Sequence, residues 1–194
     1  MSKETVTFQS FIALCAAVTA VTAVVFALSD HRNAIAETVA PVFSTIPPNY
    51  RDWTLISVAT VGSPVNDIRA KLGNDIATAD FRKGTIPYRD GAIIARLAWK
   101  QAHDPETDNA LRLQAQQVGL GADAIAKLLG GSAIAGSATN VQFMIKDSKK
   151  YASTGGWGFA QFTNGKPDAI VQTTCYACHA PAKARDFVFT TYAN

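Results

Sequence analysis

Two cysteines and a histidine near the end of the chain stand at a spacing that could bind a cofactor covalently. Cys175, Cys178 and His179 form the pattern C-x-x-C-H. At this spacing two thiols can add to the two vinyl groups of a haem as thioethers, and the adjacent histidine can reach the iron as an axial ligand. The motif therefore predicts one covalent haem c, held by Cys175 and Cys178, with His179 bound to the iron.

Zinc binding, thioredoxin-like redox chemistry and a plain disulfide are the alternatives for a C-x-x-C pair. Zinc needs four ligands, but outside the motif and the N-terminal run there is no cysteine, and His103 is the only other histidine. A thioredoxin-like pair is expected near the front of its domain, at the start of a helix. A disulfide between residues three apart is strained. Haem attachment fits the sequence better than any of these.

The second axial position of such a haem has two candidate ligands. Electron-transfer haems commonly use a methionine there, and Met144 is the only methionine beyond Met1. It stands in a predicted strand, where packing is the expected role. His103, next to Asp104-Pro105, is expected at the surface. The sequence therefore predicts a five-coordinate iron whose open position takes a small ligand.

The N-terminal segment predicts export. Residues 5–29 carry no charge, and an uncharged run of about 20 residues can cross a bilayer as a helix. Ala34-Ile35-Ala36 offers a cleavage site, so residues 1–36 are either a signal peptide or an N-terminal membrane anchor. Cys15 inside this run is interpreted as an apolar filler. We expect a periplasmic domain, soluble after cleavage or tethered to the inner membrane.

Composition limits the remaining possibilities. Residues 37–48, with three prolines, are predicted to be a linker, and residues 49–194 one domain with a sizeable core. The net charge is only +3, and no basic stripe is interleaved with aromatic residues, so nucleic acid is not expected as a partner. Membrane contact is expected only through the N-terminal segment.

Residue patterns predict an α+β domain dominated by β-structure, with an antiparallel sheet and short helices. The predicted strands are 53–61, 66–72 (a strand or a turn), 92–100, 141–146, 157–162 and the tail 186–192. A helix is predicted over 74–83, with Asn74 as its N-cap and Gly84 just past its end. Tyr88 to Gly91 is predicted as a turn, in which Asp90-Gly91 is a hairpin signal. Residues 102–138 are predicted to be a helical insertion.

One predicted strand carries an arginine among apolar residues. Side chains alternate across a strand, so Ile93, Ala95, Leu97 and Trp99 share a core face and Arg96 lies in the middle of the other. An arginine placed there either reaches solvent over a buried stem or points into a cavity.

Segments spread over residues 47–194 resemble the cytochrome P-460 family, which includes the cytochromes called c′-beta. The matching segments are Asn49 to Trp53, Ile68-Arg69, Tyr88 to Gly91, Lys146 to Lys150, Gly156 to Phe159 and Cys175 to Tyr192. The resemblance implies a β-rich fold, a homodimer, a periplasmic location and a five-coordinate haem c. The insertion at 102–138 matches no part of this pattern.

The resemblance also bears on the reaction. Enzymes of the family oxidise hydroxylamine and nitric oxide, and they depend on a lysine joined to the haem edge. The matching position here is Arg96, whose guanidinium stays protonated, and Lys100 lies roughly 13 Å further along the same face. Members of the c′-beta group lack the cross-link and bind nitric oxide or carbon monoxide in an apolar distal pocket. With an arginine at the position of the cross-linking lysine, this chain is more similar to the c′-beta group than to the enzymes.

If this strand faces the haem, Arg96 lies in or beside the distal pocket, with Arg69 as a second group. Such a cation could hold a haem propionate or stabilise negative charge on a bound ligand. The first hypothesis is a protein that binds a diatomic or nitrogen-oxide ligand. The alternatives are a hydroxylamine or nitric oxide oxidoreductase, a peroxidase-like enzyme assisted by Arg96, and an electron carrier that uses Met144 and a redox partner.

Overall fold

One antiparallel sheet organises the domain. The computed structural model describes residues 42–169 and 172–193, and in them six strands lie side by side in chain order. The strands are β1 (Thr54–Val61), β2 (Asp67–Gly73), β3 (Ile93–Ala102), β4 (Ile134–Lys146), β5 (Trp157–Thr163) and β6 (Lys166–Pro167). All neighbouring pairs are antiparallel. The predicted fold class, β-dominated α+β, is confirmed.

Four short helices accompany the sheet in this part of the chain. They are α1 (Asp75–Lys83), α2 (Pro105–Gln117), α3 (Ala122–Gly131) and α4 (Gln172–His179). The side chain of Asn74 accepts a hydrogen bond from Ala77 N at the start of α1, and Gly84 ends the helix with φ +65°. A left-handed residue costs glycine little, which is why the sequence predicted both ends of this helix correctly.

Strands β3 and β4 form a long hairpin that carries α2 and α3 at its far end. Ala102 pairs with Ile134, so residue 102 and residues 134–138 belong to strands. The helical insertion is therefore shorter than the predicted 102–138. Small, mostly exposed residues fill the start of β4 and show no apolar alternation. These residues form a strand because they pair with β3, and their own sequence gives no indication of this pairing.

One face of the sheet, here called the core face, is covered by an apolar cluster. Its buried members are Leu72, Ala95, Leu97, Val141, Phe143 and Phe162. Phe43 and Ile46, which lie within the predicted linker, pack against this cluster, and the Phe43 and Phe143 ring centroids are 5.7 Å apart. Residues before the first strand thus shield the core face from water, which favours the folded sheet.

The opposite face, here called the site face, packs against α1, α4 and the C-terminal segment. Its buried cluster joins Ile94, Trp157 and Phe159 of the strands to Phe81 of α1 and Phe187 after α4. Arg96 lies on this face, since it alternates with the buried Ala95 and Leu97. The site face therefore combines an apolar region with polar side chains.

The turn at Tyr88 to Gly91 forms as predicted, but the hairpin prediction for Asp90-Gly91 was wrong. The residues before it are α1 and a loop, so no strand is available for a hairpin. Instead the Asp90 carboxylate accepts hydrogen bonds from Ser148 N and Oγ, both at 2.8 Å. The buried Asp80 accepts hydrogen bonds from the backbone N and the Nε of Arg89. Side chains distant in sequence hold this turn.

The tail at 186–192 was predicted to be rich in β-structure, and this was wrong as well. After a 3₁₀ turn at Ala180–Arg185, Asp186 and Phe187 adopt left-handed backbone angles, with φ +51° and +65°. Strand backbone has negative φ, so these two residues interrupt any ladder. The side chain of Asp186 is bound by distant groups described below, which keeps the segment in this conformation.

No helix within residues 42–169 and 172–193 is long and apolar enough to span a membrane. The predicted N-terminal helix, with its signal-peptide or anchor role, lies outside the residues that the structure describes.

Candidate functional site

The C-x-x-C-H residues occupy the end of α4. Cys175, Cys178 and His179 lie three and four residues apart on this helix, a spacing that brings side chains to the same side. Both cysteines are free thiols; Cys175 is half-buried and Cys178 is exposed. Cys175 packs against the apolar cluster of the site face. Its pKa is raised by burial and by the neighbouring Cys178.

The imidazole of His179 is held in one orientation. Its ring contacts the rings of Phe159 and Phe189, with centroid distances of 5.1 and 4.9 Å. Nδ1 is 2.7 Å from the carbonyl oxygen of Phe187. A carbonyl can only accept, so Nδ1 carries the proton and Nε2 keeps its lone pair.

Electrostatics also favour the neutral form of His179. Burial lowers its pKa, the hydrogen bond to Phe187 raises it, and the positive charge of Arg96 lowers it again. A metal-bound histidine is neutral and commonly donates its other ring N–H to a carbonyl or carboxylate. His179 meets both requirements.

These donors fit a covalent haem. Two free thiols at the motif spacing and one imidazole with a free Nε2 are the groups that the attachment chemistry requires. By contrast, the described segments contain no group of three or more His, Cys, Asp and Glu side chains that could hold a metal ion. A zinc site would need four such ligands.

A buried ion pair fixes the backbone that meets His179. Lys146 Nζ lies 2.7 and 2.8 Å from the two carboxylate oxygens of Asp186, and both side chains are more than nine-tenths buried. The same carboxylate accepts a hydrogen bond from Tyr88 N at 2.8 Å. Trp157 Nε1 donates to the backbone oxygen of Asp186 at 2.8 Å. Asp186 directly precedes Phe187, so this network positions the carbonyl that orients His179.

Sequence reasoning missed the role of this pair. Lys146 and Asp186 both lie in segments that carry the family resemblance, but 40 residues separate them. The signal that could have pointed to them is chemical, since a lysine at the end of an apolar strand requires a partner when buried.

Arg96 lies on the site face, opposite the core face, as the alternation of side chains along the strand predicted. Directly across the sheet from it are Lys71 on β2 and Gln142 on β4. One terminal nitrogen donates to Asn140 Oδ1 at 2.9 Å, while its Nε is buried and has no hydrogen-bond partner within residues 42–169 and 172–193. Burial, followed by the charge of Arg69, lowers its pKa. Arg96 is a partly buried cation with unused donor capacity.

The other cations of the region differ in their partners. Arg69 shares the site face but is already paired, because its Nε lies 2.9 and 3.0 Å from the two oxygens of Asp67. Lys100 is exposed and its Nζ donates to Val65 O at 3.1 Å. Lys71, which sequence reasoning did not single out, lies next to Arg96 across the sheet. Its pKa is lowered by burial and then by Arg69 and Arg96.

The two candidates for the second axial position lie in different surroundings. Met144 is on β4 and packs against the site-face cluster together with Cys175 and Tyr176. His103 follows β3; its side chain is 58% exposed and lies 3.6 Å from Asp108. Met144 is therefore close to the elements of the motif, and His103 is a surface residue.

Comparison with known proteins shows that the chain matches one protein family. The sequence model of the family described as cytochrome P-460 matches residues 47–190, a span that includes all six strands and the C-x-x-C-H motif. No curated protein matches the chain.

Proposed function

This chain belongs to the cytochrome P-460 family and is a haem protein, and we propose that it carries one haem c bound covalently through Cys175 and Cys178. His179 supplies one axial ligand through Nε2. The opposite position of the iron is open and binds a small ligand such as nitric oxide. The domain is exported to the periplasm, where it acts as a homodimer.

One observation carries this proposal. His179 Nδ1 donates a hydrogen bond to the Phe187 carbonyl at 2.7 Å, so the nitrogen left for iron is Nε2, on a ring in contact with two aromatic side chains. A hydrogen bond of this kind raises the basicity of a ligating histidine. The motif thus presents an oriented ligand next to two free thiols.

The other axial position is proposed to be open because neither candidate ligand is presented in the same way. His103 is exposed and lies near Asp108, and Met144 is part of a strand that pairs on both sides. A five-coordinate haem iron supplies a vacant site for diatomic ligands. Arg96 and Arg69, on the site face, would supply positive charge that favours negative charge on a bound ligand.

Two other functions each have one supporting observation. An oxidoreductase of hydroxylamine or nitric oxide, or a peroxidase-like enzyme, is supported by the partly buried guanidinium of Arg96. An electron carrier is supported by the packing of Met144 against the same cluster as Cys175, which makes it the candidate sixth ligand.

Optical spectra of the purified holoprotein separate these functions. We expect a high-spin ferrous spectrum that changes when nitric oxide or carbon monoxide is added, and that is unchanged in Met144→Leu. A sharp low-spin spectrum that is lost in Met144→Leu identifies the electron carrier. A strongly red-shifted Soret band identifies a haem cross-linked to the protein and favours the enzyme.

Covalent attachment is tested with Cys175→Ala/Cys178→Ala. Acid–acetone should extract the haem from this double variant and leave it on the wild-type protein. Haem that stays on the double variant after extraction contradicts attachment through these thiols.

A further inference from the structure

Three basic side chains lie close together on the site face. Lys71 and Arg96 are opposite one another in the pairing of β2 with β3, and opposite residues of an antiparallel pair project on the same face. Arg69 is two residues from Lys71 on the same strand, and therefore also shares this face. These three residues are here called the cation cluster.

The cation cluster carries more positive than negative charge. Asp67 is buried and binds Arg69 through both carboxylate oxygens. Among the residues that the structure describes, Lys71 and Arg96 have no ion-paired carboxylate. Gln142, the residue across from Arg96 on β4, is neutral, and its amide donates to Gln161. Two cations on a partly buried surface thus have no ion pair of their own, and they share with Arg69 the single carboxylate of Asp67.

The donors of the cluster are also underused. The guanidinium of Arg96 has five N–H groups. One of its terminal nitrogens donates to Asn140, and its buried Nε has no hydrogen-bond partner within the described segments. The ammonium of Lys71 has no hydrogen-bond partner there either. Buried polar groups are normally satisfied, so the buried Nε of Arg96 calls for an acceptor that is not part of residues 42–169 or 172–193.

We propose that Lys71, Arg96 and Arg69 form a binding site for a small oxyanion on the face of the sheet beside the haem motif. A planar guanidinium binds two oxygens of one carboxylate-like group at once, and a neighbouring ammonium adds a point charge. The fitting chemistry is a small planar group with two oxygens and one negative charge. Two sources supply it: the propionate of the bound haem, or a free anion such as nitrite.

The cluster lies near the haem motif. Arg96 is opposite Gln142, and Gln142 is opposite Gln161 on β5. Phe159, two residues from Gln161 on the same face, has its ring centroid 5.1 Å from that of His179. The assignment of a free anion to this site rests on the proposed function, since it places an anionic ligand next to the open iron position. The assignment of a propionate requires only that haem is bound.

Calorimetric titration of the ferric holoprotein with sodium nitrite tests the site, since the heat of binding is measured whatever the ligation of the iron. If the site takes a free anion, Lys71→Met and Arg96→Met should each weaken nitrite binding at least tenfold. Arg96→Lys should lose less, because it keeps the charge. Lys100→Met is the matched control: it removes a lysine from the exposed end of the same face and should change the affinity less than twofold.

The resonance Raman band of the propionate bending mode tests the other source. If the site holds a propionate, this band should shift in Lys71→Met and Arg96→Met but stay in place in Lys100→Met, while nitrite binding is unaffected. The proposal is wrong if neither nitrite affinity nor this band changes in Lys71→Met and Arg96→Met.

The carbon monoxide affinity of the ferrous protein tests the proposed open iron position independently of the oxyanion site. A neutral ligand should bind with the same affinity, within about twofold, in wild-type protein and in Lys71→Met. If carbon monoxide does not bind at all, the open iron position is disproved, and the nitrite and Raman results still decide whether the cation cluster is an oxyanion site.

Discussion

The imidazole of His179 is oriented by the backbone carbonyl of Phe187. That carbonyl is held in place by an ion pair between the adjacent Asp186 and Lys146, which lies 40 residues before Asp186. Lys146 at the end of β4 binds the carboxylate of Asp186, and the carbonyl oxygen of the next residue, Phe187, accepts a hydrogen bond from His179 Nδ1. A single buried salt bridge thereby connects the central part of the sheet to the proposed iron ligand. Its influence on the site should be measurable.

Lys146→Met is predicted to lower the free energy of unfolding by about 3–5 kcal/mol, because it leaves the buried carboxylate of Asp186 without its counter-charge. Urea denaturation measures this. The reduction potential of the haem should rise as well, since a displaced Phe187 carbonyl makes His179 a less basic ligand. Redox titration measures that second effect.

Asp108→Asn is the control for Lys146→Met, because it removes one member of the exposed pair between His103 and Asp108. Exposed pairs contribute about 0–1 kcal/mol, so this variant should unfold almost like the wild type and keep its potential. Equal effects of the two substitutions on stability would contradict the role given to the buried pair.

Among individual residues, sequence analysis predicted the motif and the face of the sheet on which Arg96 lies. It did not predict a role for Lys71 or Lys146. Cys175, Cys178 and His179 are neighbours in the chain, so their spacing alone carries the chemistry. Lys71 becomes notable only because β2 pairs with β3 in a register that puts it opposite Arg96. Register depends on the whole sheet, and a single sequence does not reveal it.

Among the elements, the segment after α4 depends on one glycine of the turn before β5. Gly155 has φ +68°, and a Cβ at this position would overlap the ring of Phe187. The carbonyl of Gly155 also accepts a hydrogen bond from Lys146 Nζ at 3.1 Å. Close approach of this turn to Phe187 is therefore part of what holds the His179 partner.

Gly155→Ala is predicted to be strongly destabilising and to disturb the haem environment. The left-handed backbone costs alanine about 1–2 kcal/mol, and the overlap with Phe187 adds about 1–3 kcal/mol. Thermal unfolding measures the loss of stability. The Soret spectrum should change because Phe187 carries the carbonyl bound to His179.

Gly165→Ala separates the two contributions. Gly165 has φ +76°, but nothing lies within 4 Å of a Cβ built there, so only the backbone cost remains. This variant should lose about 1–2 kcal/mol and keep the wild-type Soret spectrum. If both glycine variants lose the same stability, the contact with Phe187 has no energetic role.

The elements that were predicted well are those whose sequence signals lie within a few neighbouring residues. The N-cap of Asn74 and the stop at Gly84 are interactions within a few residues, and the apolar alternation of β3 is visible in its own sequence. The start of β4 and the tail after residue 185 follow distant contacts instead. In the tail, Lys146 and Tyr88 N bind Asp186, and no pattern within residues 186–192 reports this.

For the whole molecule, the helical pair α2 and α3 is joined to the sheet where β3 ends and β4 begins. Ala102 and Ile134, where the chain leaves and re-enters the sheet, are paired. Each helix buries only one of its residues, Ala115 in α2 and Ile125 in α3. The two apolar clusters of the sheet contain no residue from either helix.

Replacing residues 103–133 by Asn-Gly is predicted to leave a folded haem protein. An Asn-Gly pair forms a tight hairpin turn, which can join strands that are already adjacent at Ala102 and Ile134. The shortened chain should keep its Soret spectrum and its nitric oxide binding. Loss of haem or of soluble protein would show that α2 and α3 support the sheet.

All six strands precede Gln172, the first residue of α4. Because a protein is synthesised from its N-terminus, each of these strands is made before the two thiols. Strands that are neighbours in the sheet are also neighbours in sequence, so each can pair with the one made just before it, and such contacts form quickly. If haem is attached to Cys175 and Cys178 as proposed, this order makes the attachment the last step, after all the strands described above have been synthesised.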